Sequence, residues 1–277
     1  MDKKNILFCT NCQGHAICKY LLTCPIFEKN YNVDNIENWI LLKDQDKSKY
    51  LDKLKICDIF IYQPLKKKHG ELSTETENGL KTYLKPDCKL ISFPYIYNSA
   101  LWPFYRHVSD GEEFYPGLSG FRIHNESILL GLFENFNLQQ IINLYDNDNI
   151  NFNYLNNYNY TIDYLKKNEE NVNIKVSNFI EENIKKKRLF FTKDHPTSFI
   201  LIYCANKILE ILNINYIIND SDFDINYHEM LDTSYNRIDN KWPITQQCAN
   251  TLGLSYFDTD GKYFFRDLLL KMLLIQK

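Results

Sequence analysis

The chain has 277 residues but little glycine (9) and little proline (8), and neither gathers into a linker. No run approaches the roughly 20 apolar residues that a helix needs to cross a bilayer, so no membrane span is expected. Positive charge is not in surplus: 32 Lys and Arg stand against 35 Asp and Glu, for a net charge of -3. Without a basic excess there is no electrostatic footprint for duplex nucleic acid. Met-Asp-Lys-Lys followed by a very short apolar run does not resemble a secretory signal. The expectation is a cytoplasmic protein whose cysteines stay reduced. A second Cys-x-x-Cys and any His-x-x-His are also missing, so Cys9-x-x-Cys12 lacks the other half of a zinc site and no metal is expected. No internal repeat stands out. The reading is one domain over 1–277, long enough to bury a sizeable core.

Aromatics make up 15% of the chain and hydrophobic residues 44%. "NILFC" (5–9) is a short apolar run that stops at Thr-Asn-Cys-Gln-Gly, and "HAICKYLLT" reads as a helix burying Ala16, Cys18, Leu21 and Leu22. "CDIFIY" (57–62) and "CKLISF" (88–93) are two further buried-strand candidates. A helix is expected over 73–84, capped by Ser73 or Thr74. Strands alternating with helices predict an α/β fold, a short mainly parallel sheet flanked by helices. Beyond Asn125, "SILLGLFENF", "LQQIINLY", "VSNFIEENIKKK" and "SFILIYCANKILEIL" carry helical spacing, so the second half should be largely helical. The Asn-rich stretch 143–160 has regularly placed Ile, Phe, Leu and Tyr and should be ordered. "KYFFRDLLLKMLLIQK" is amphipathic and should pack on the body.

Chemistry concentrates at the first strand-to-helix turn. A redox Cys-x-x-Cys needs its first thiol at the helix N-terminus, but Cys9 would sit at the strand end and the usual motif interior is absent. Cys9, Cys18, Cys57, Cys88 and Cys204 read as core. Cys12 lies where the first backbone N–H groups and the helix dipole converge, which suits a thiolate or an adjacent oxyanion. Asn11 and Gln13 flank it with amide donors; alternatively, both satisfy turn backbone. Gln63, Pro64, Tyr95 and His195 each follow an apolar run, so they are candidates to converge on the same place. His195, beside Asp194, suits a general base or starts the helix that follows. Gly14 and His15, in the first helical turn, could line the same pocket.

Four motifs follow one another along the chain: "NCQ" (11–13), "DIFIYQPL" (58–65), "ISFPYIYNSALWPFY" (91–105) and "RLFFTKDHPTSFIL" (188–201). Taken in order, from about 6 to about 212, they resemble the WcbI-like family of polysaccharide biosynthesis proteins. Helices over 213–277 would then pack on the matched part. Family members usually carry glycine before Asn-Cys-Gln, where this chain has Thr10. The resemblance implies a coenzyme A-binding acetyltransferase acting on a sugar or nucleotide sugar, with acetyl-CoA as acyl donor. It is distantly similar to SGNH-type enzymes, which would place Cys12 at the nucleophile position and His195 at the base. Asn11 and Gln13 would then donate to the oxyanion. Coenzyme A also needs cations for its phosphates. Lys66, Lys67 and Lys68 at one strand end, or Lys187 and Arg188 before another, could supply them, as could neither if the runs are simply solvated. Gly14, His15, Gln63 and Tyr95 would line its pocket. The aromatic run 93–105 could wall that pocket or be a buried loop. An SGNH-like esterase and a non-catalytic coenzyme A or glycan-binding module are the alternatives.

Overall fold

A computed structural model of the chain describes residues 2–103, 131–132, 134–222, 242–263, 266 and 270. In chain order its first elements are β1 (Lys4–Thr10), α1 (Cys12–Leu22), α2 (Pro25–Asn30), β2 (Tyr31–Glu37), α3 (Asn38–Lys43), α4 (Ser48–Lys55), β3 (Ile59–Tyr62) and β4 (Lys89–Ser92). There follow α5 (Leu138–Asp146), α6 (Tyr154–Asn168), α7 (Ser177–Asn183), β5 (Phe190–Thr192), β6 (His195–Pro196), α8 (Ser198–Ile211) and α9 (Gln246–Leu252). The chain divides into two compact units, one of Met1–Ile96, Tyr164–Ile180 and His195–Asn240, the other of Tyr97–Asp163, Glu181–Asp194 and Lys241–Lys277.

The first unit is built on four parallel strands in the order β2-β1-β3-β4. β1 is buried from Ile6 to Thr10 and β3 along its whole length. A central parallel strand is covered on both faces, which is why each reads as an unbroken apolar run. On one face Leu7, Cys9, Phe60 and Tyr62 join Leu41, Tyr50 and Leu54 of α3 and α4. α1 packs against α8, which buries Ile200, Cys204, Ala205 and Ile208. Each fully buried side chain of this size contributes about 1.5–3 kcal/mol.

Three local expectations fail for identifiable reasons. β2 is an edge strand of alternating exposure, Tyr-Asn-Val-Asp-Asn-Ile-Glu, so no apolar run announces it. α1 buries Gln13, Gly14, Ile17, Cys18, Tyr20 and Leu21, leaving Ala16 half-buried and Leu22 exposed. Its phase is set by the polar first turn, which draws Gln13 inward. The helix expected over 73–84 does not form. Ser73 Oγ donates to Leu65 O (2.9 Å) and accepts from Glu75 N (2.9 Å), while Thr74 Oγ1 accepts from Leu65 N (2.8 Å). These side-chain bonds compete with the helical ladder, and only a 3-10 turn, Leu80–Tyr83, remains.

Among the described residues of the second unit, the regular elements are mostly helices. Asn137 and Gln140 form a capping box on α5. The Asn-rich stretch 143–160 becomes the end of α5 and the beginning of α6. Trp102 is fully buried, donates from Nε1 to Pro243 O (3.0 Å) and meets the Trp242 ring edge-on. Thr245 caps α9, and Gly253 ends it in the left-handed region (φ 67°), which glycine adopts without a Cβ penalty. Of "SILLGLFENF" only 131–132 and 134–136 are described. The C-terminal stretch 262–277 is likewise described only at 262, 263, 266 and 270. The expected short parallel sheet flanked by helices, with a largely helical second half, is what the chain adopts. Among the described residues no helix is long and apolar enough to cross a membrane.

Candidate functional site

β2 and β3 lie on opposite sides of β1, so chain connections diverge above the boundary between β1 and β3. In open α/β sheets, ligands bind beyond the carboxyl ends of the strands at such a switch point. Here β1 ends at Thr10, β3 at Tyr62 and β4 at Ser92, and the next residues of each strand meet. Asn11 N donates to Gln63 Oε1 (2.8 Å). Gln63 Nε2 donates to Gln13 Oε1 (3.0 Å) and to Pro94 O (3.3 Å). Gln13 Nε2 donates to Ile96 O (2.6 Å), and Gln13 Oε1 accepts from Ile96 N (3.1 Å). Both glutamines are buried, and a buried amide left unpaired would cost about 1–3 kcal/mol. The two side chains clamp three strand ends together.

The clamp redistributes the roles that the turn suggested. Gln13 and Gln63 face inward and bind backbone. Asn11 caps α1, its Oδ1 accepting from Gln13 N (3.0 Å) and its O from Gly14 N (3.1 Å). Two of the first helical N–H groups are thereby engaged. The Nδ2 of Asn11 has no acceptor among the described residues. Gly14 packs on the strand it follows: a Cβ there would lie 2.0 Å from Thr10 Oγ1. The threonine at position 10 and the glycine at 14 therefore fit each other. Cys12, half-buried, occupies the first position of α1. His15 is exposed at its surface edge, but the desolvation its ring feels on α1, together with Lys19 one turn on, holds its pKa below the usual value, Glu37 opposing.

The cysteines sort by burial. Cys9 is sealed in β1, where desolvation pushes its thiol up to about 12. That is the opposite of what a redox partner for Cys12 needs. Cys18, Cys57 and Cys204 are core as expected, but Cys88 is only half-buried.

Beyond the ends of β3 and β4 lies a cleft of about 610 Å³. Pro64, Lys66 and Lys67 line it from the β3 side, and Pro94 and Tyr95 from the β4 side. Tyr95 is 43% exposed, whereas Phe93, Ile96, Ala100 and Trp102 of the same aromatic run are buried. A third wall, Tyr164 to Val172, is held by Asn173, whose Oδ1 accepts from Ser92 N (2.8 Å) and Ser92 Oγ (2.9 Å). Lys66, Lys67, Lys81 and Lys167 face a single carboxylate, Glu75. Lys81 Nζ stands 5.1 Å from the Tyr62 ring centre and Lys66 Nζ 5.8 Å from that of Tyr164, so rings and cations alternate. A cleft with this excess of positive charge attracts anions.

Lys68 is exposed but not among the lining residues. Lys187 and Arg188 belong to the second unit. Arg188 is committed there: its guanidinium pairs with Asp258 and donates to Trp242 O (3.3 Å). Its burial makes that pairing obligatory, which removes it as a phosphate ligand. Lys81, Tyr164 and Lys167 line the cleft without any sequence motif to mark them. His195 lies in the extended pair His195–Pro196 directly ahead of α8, in the same unit as Cys12. It follows β5, which is not a strand of the four-stranded sheet.

Comparison with known proteins adds two findings. The family model described as "Polysaccharide biosynthesis enzyme WcbI" matches residues 5–216. A solved structure is similar over 80% of this chain and 72% of its own, with a TM-score of 0.64 and 21% identity. It is described as WcbI, a novel polysaccharide biosynthesis enzyme, native and without a disulfide bond between coenzyme A and one of its cysteines. At that identity the likeness speaks to the fold. No curated protein matches.

Proposed function

We propose, from the premise that this chain belongs to the WcbI family of polysaccharide biosynthesis enzymes, that it is an acyltransferase moving acetyl from acetyl-CoA to a sugar. The observation that carries this reading is the lysine-rich cleft beyond β3 and β4, braced by the same glutamine clamp that sets the Cys12 turn. The phosphates and adenine of coenzyme A need cations interleaved with rings, and Lys66, Lys67, Lys81, Lys167, Tyr95 and Tyr164 supply both. The description of the solved WcbI names coenzyme A and a cysteine together, in a form without a disulfide between them; we take half-buried Cys12 as the thiol that faces the coenzyme here.

In the reaction we favour, neutral His195 removes the proton of a sugar hydroxyl or amine as that atom attacks the thioester carbonyl. The new C–O or C–N bond forms, the C–S bond breaks, and the proton passes to the departing thiolate. Asn11 Nδ2 and the α1 dipole stabilise the oxyanion, with Gln13 holding the turn rather than donating. Direct transfer is preferred to an acetyl-cysteine intermediate, because exchanging one thioester for another gains little energy. The two units are taken as one domain, since neither is a continuous stretch of chain. The cellular setting proposed is the cytoplasm.

Acetyl-CoA should raise the melting temperature progressively by mass action, and radiolabelled acetyl should appear on sugar acceptors. No shift at millimolar acetyl-CoA would overturn the reading. Turnover of simple acetyl esters without coenzyme A would favour an SGNH-like esterase instead.

A further inference from the structure

The second unit holds a cleft of about 590 Å³ that none of the preceding chemistry uses. We propose that it is a saccharide-binding subsite for an uncharged sugar, an inference that rests on the acceptor of the reaction above being a glycan. Its chemistry is unlike that of the lysine-rich cleft. Two carboxylates and two cations line it, and they pair with one another or with close neighbours. Arg266 Nε lies 3.3 Å from Asp146 Oδ1. Lys262 Nζ lies 3.3 Å from Asp148 Oδ1 and donates to Asp146 O (2.5 Å). Asp258 pairs with Arg188 and accepts from Ile244 N (2.7 Å). With its charges balanced, the cleft has little field to draw a phosphate.

What remains is a frame of oriented polar groups beside exposed rings. Phe257 is 42% exposed and Tyr263 is 70% exposed, and both line the cleft. An exposed aromatic ring is a natural platform for the C–H face of a pyranose, whose hydroxyls then reach the polar rim. That rim includes Thr259, Gln246 and Arg266. The described residues give Arg266 Nε no well-angled hydrogen-bond acceptor despite its burial. The two side chains are each 40% exposed, so sugar hydroxyls approach the outward edges of the pair and not the buried Nε. Of the lining residues, only Asp146 falls within the family match at 5–216.

The test uses the full-length protein and saturation-transfer NMR with maltotriose, cellotriose and mannotriose, each beside trigalacturonate as the acidic comparison. At least one neutral trisaccharide should bind. Phe257→Ala and Tyr263→Ala should each weaken it roughly five- to tenfold. Tyr216→Ala, an exposed ring in the first unit, should change nothing. Melting temperatures with acetyl-CoA are read on the same samples. Acetyl-CoA stabilisation with no binding of any neutral trisaccharide overturns the subsite and leaves the transferase reading standing. Neutral-sugar binding without acetyl-CoA stabilisation overturns the transferase and keeps the subsite. Preferential binding of trigalacturonate, or binding that survives both ring deletions, overturns the subsite as argued.

Discussion

The two clefts are close in volume, about 610 and 590 Å³, yet they treat charge in opposite ways. In the first unit four lysines face one carboxylate; in the second, each cation and carboxylate lining the cleft has an opposite charge as a neighbour. Counting charged residues would rate both as polar clefts. The difference lies in pairing, since an ion pair cancels most of the field that a lone cation projects. The first cleft is suited to an anion and the second to a neutral polyol.

The sharpest way to break this contrast is to ask which unit carries turnover. His195→Ala should lower kcat by roughly two to four orders of magnitude while leaving acetyl-CoA affinity within a fewfold. Phe257→Ala should instead raise KM for the sugar with kcat nearly kept. Full activity in His195→Ala, or a kcat collapse in Phe257→Ala, would reverse the assignment of roles.

Next in size is the turn itself. Gly14→Ala drives a Cβ into Thr10 Oγ1 and should destabilise the protein by about 1–3 kcal/mol. Adding Thr10→Gly should recover part of the loss in denaturant melts, because the two positions are coupled through one contact. An additive double mutant would show that the close approach is not what makes glycine necessary.

Charge pairing can be tested directly. Lys66→Gln with Lys67→Gln should weaken acetyl-CoA by about three- to tenfold, given the modest energy of exposed charge contacts. Raising salt should weaken acetyl-CoA binding and leave trisaccharide binding almost unchanged. Equal salt dependence at both sites would erase the distinction.

The smallest effect lies at the opposite end of the sheet and serves as a control. Asp58 accepts from Lys85 Nζ (2.7 Å) and Asn5 N (2.7 Å), and these bonds hold its pKa below the usual carboxylate value, Lys85 contributing most. A depressed folded pKa stabilises above the unfolded value, and that contribution is lost as pH falls through the folded one. Both partners are about one-third exposed, so the contribution is a few tenths of a kcal/mol. Asp58→Asn should flatten the acid limb of stability below about pH 4 without altering either ligand's affinity.

Much of the first unit was legible in the sequence because its central strands are buried on both faces and so declare themselves as apolar runs. The Asn11–Cys12–Gln13 turn was visible for the same reason, at the end of β1. Lys66, Lys67 and Tyr95 were found because they follow strand ends. Lys81, Tyr164 and Lys167 were not, since they reach the cleft from a 3-10 turn and from α6, where spacing carries no signal. β2 escaped because an edge strand needs few apolar residues. Arg188 misled because its partner Asp258 is 70 residues away. The second cleft escaped for a similar reason: Asp146 and Arg266 meet only in the fold.

The glutamine clamp bears on how kinetic data from this protein should be read. Gln13 and Gln63 carry no ionisable proton, and the clamp bonds described above join them to each other or to backbone groups. Acidification or alkalinisation across the range in which the protein stays folded therefore has nothing in the clamp to protonate. These five bonds should accordingly add no titration of their own to a pH–rate profile. Gln63→Glu would abolish that neutrality, setting a carboxylate against the Pro94 and Gln13 oxygens and coupling strand alignment to bulk pH.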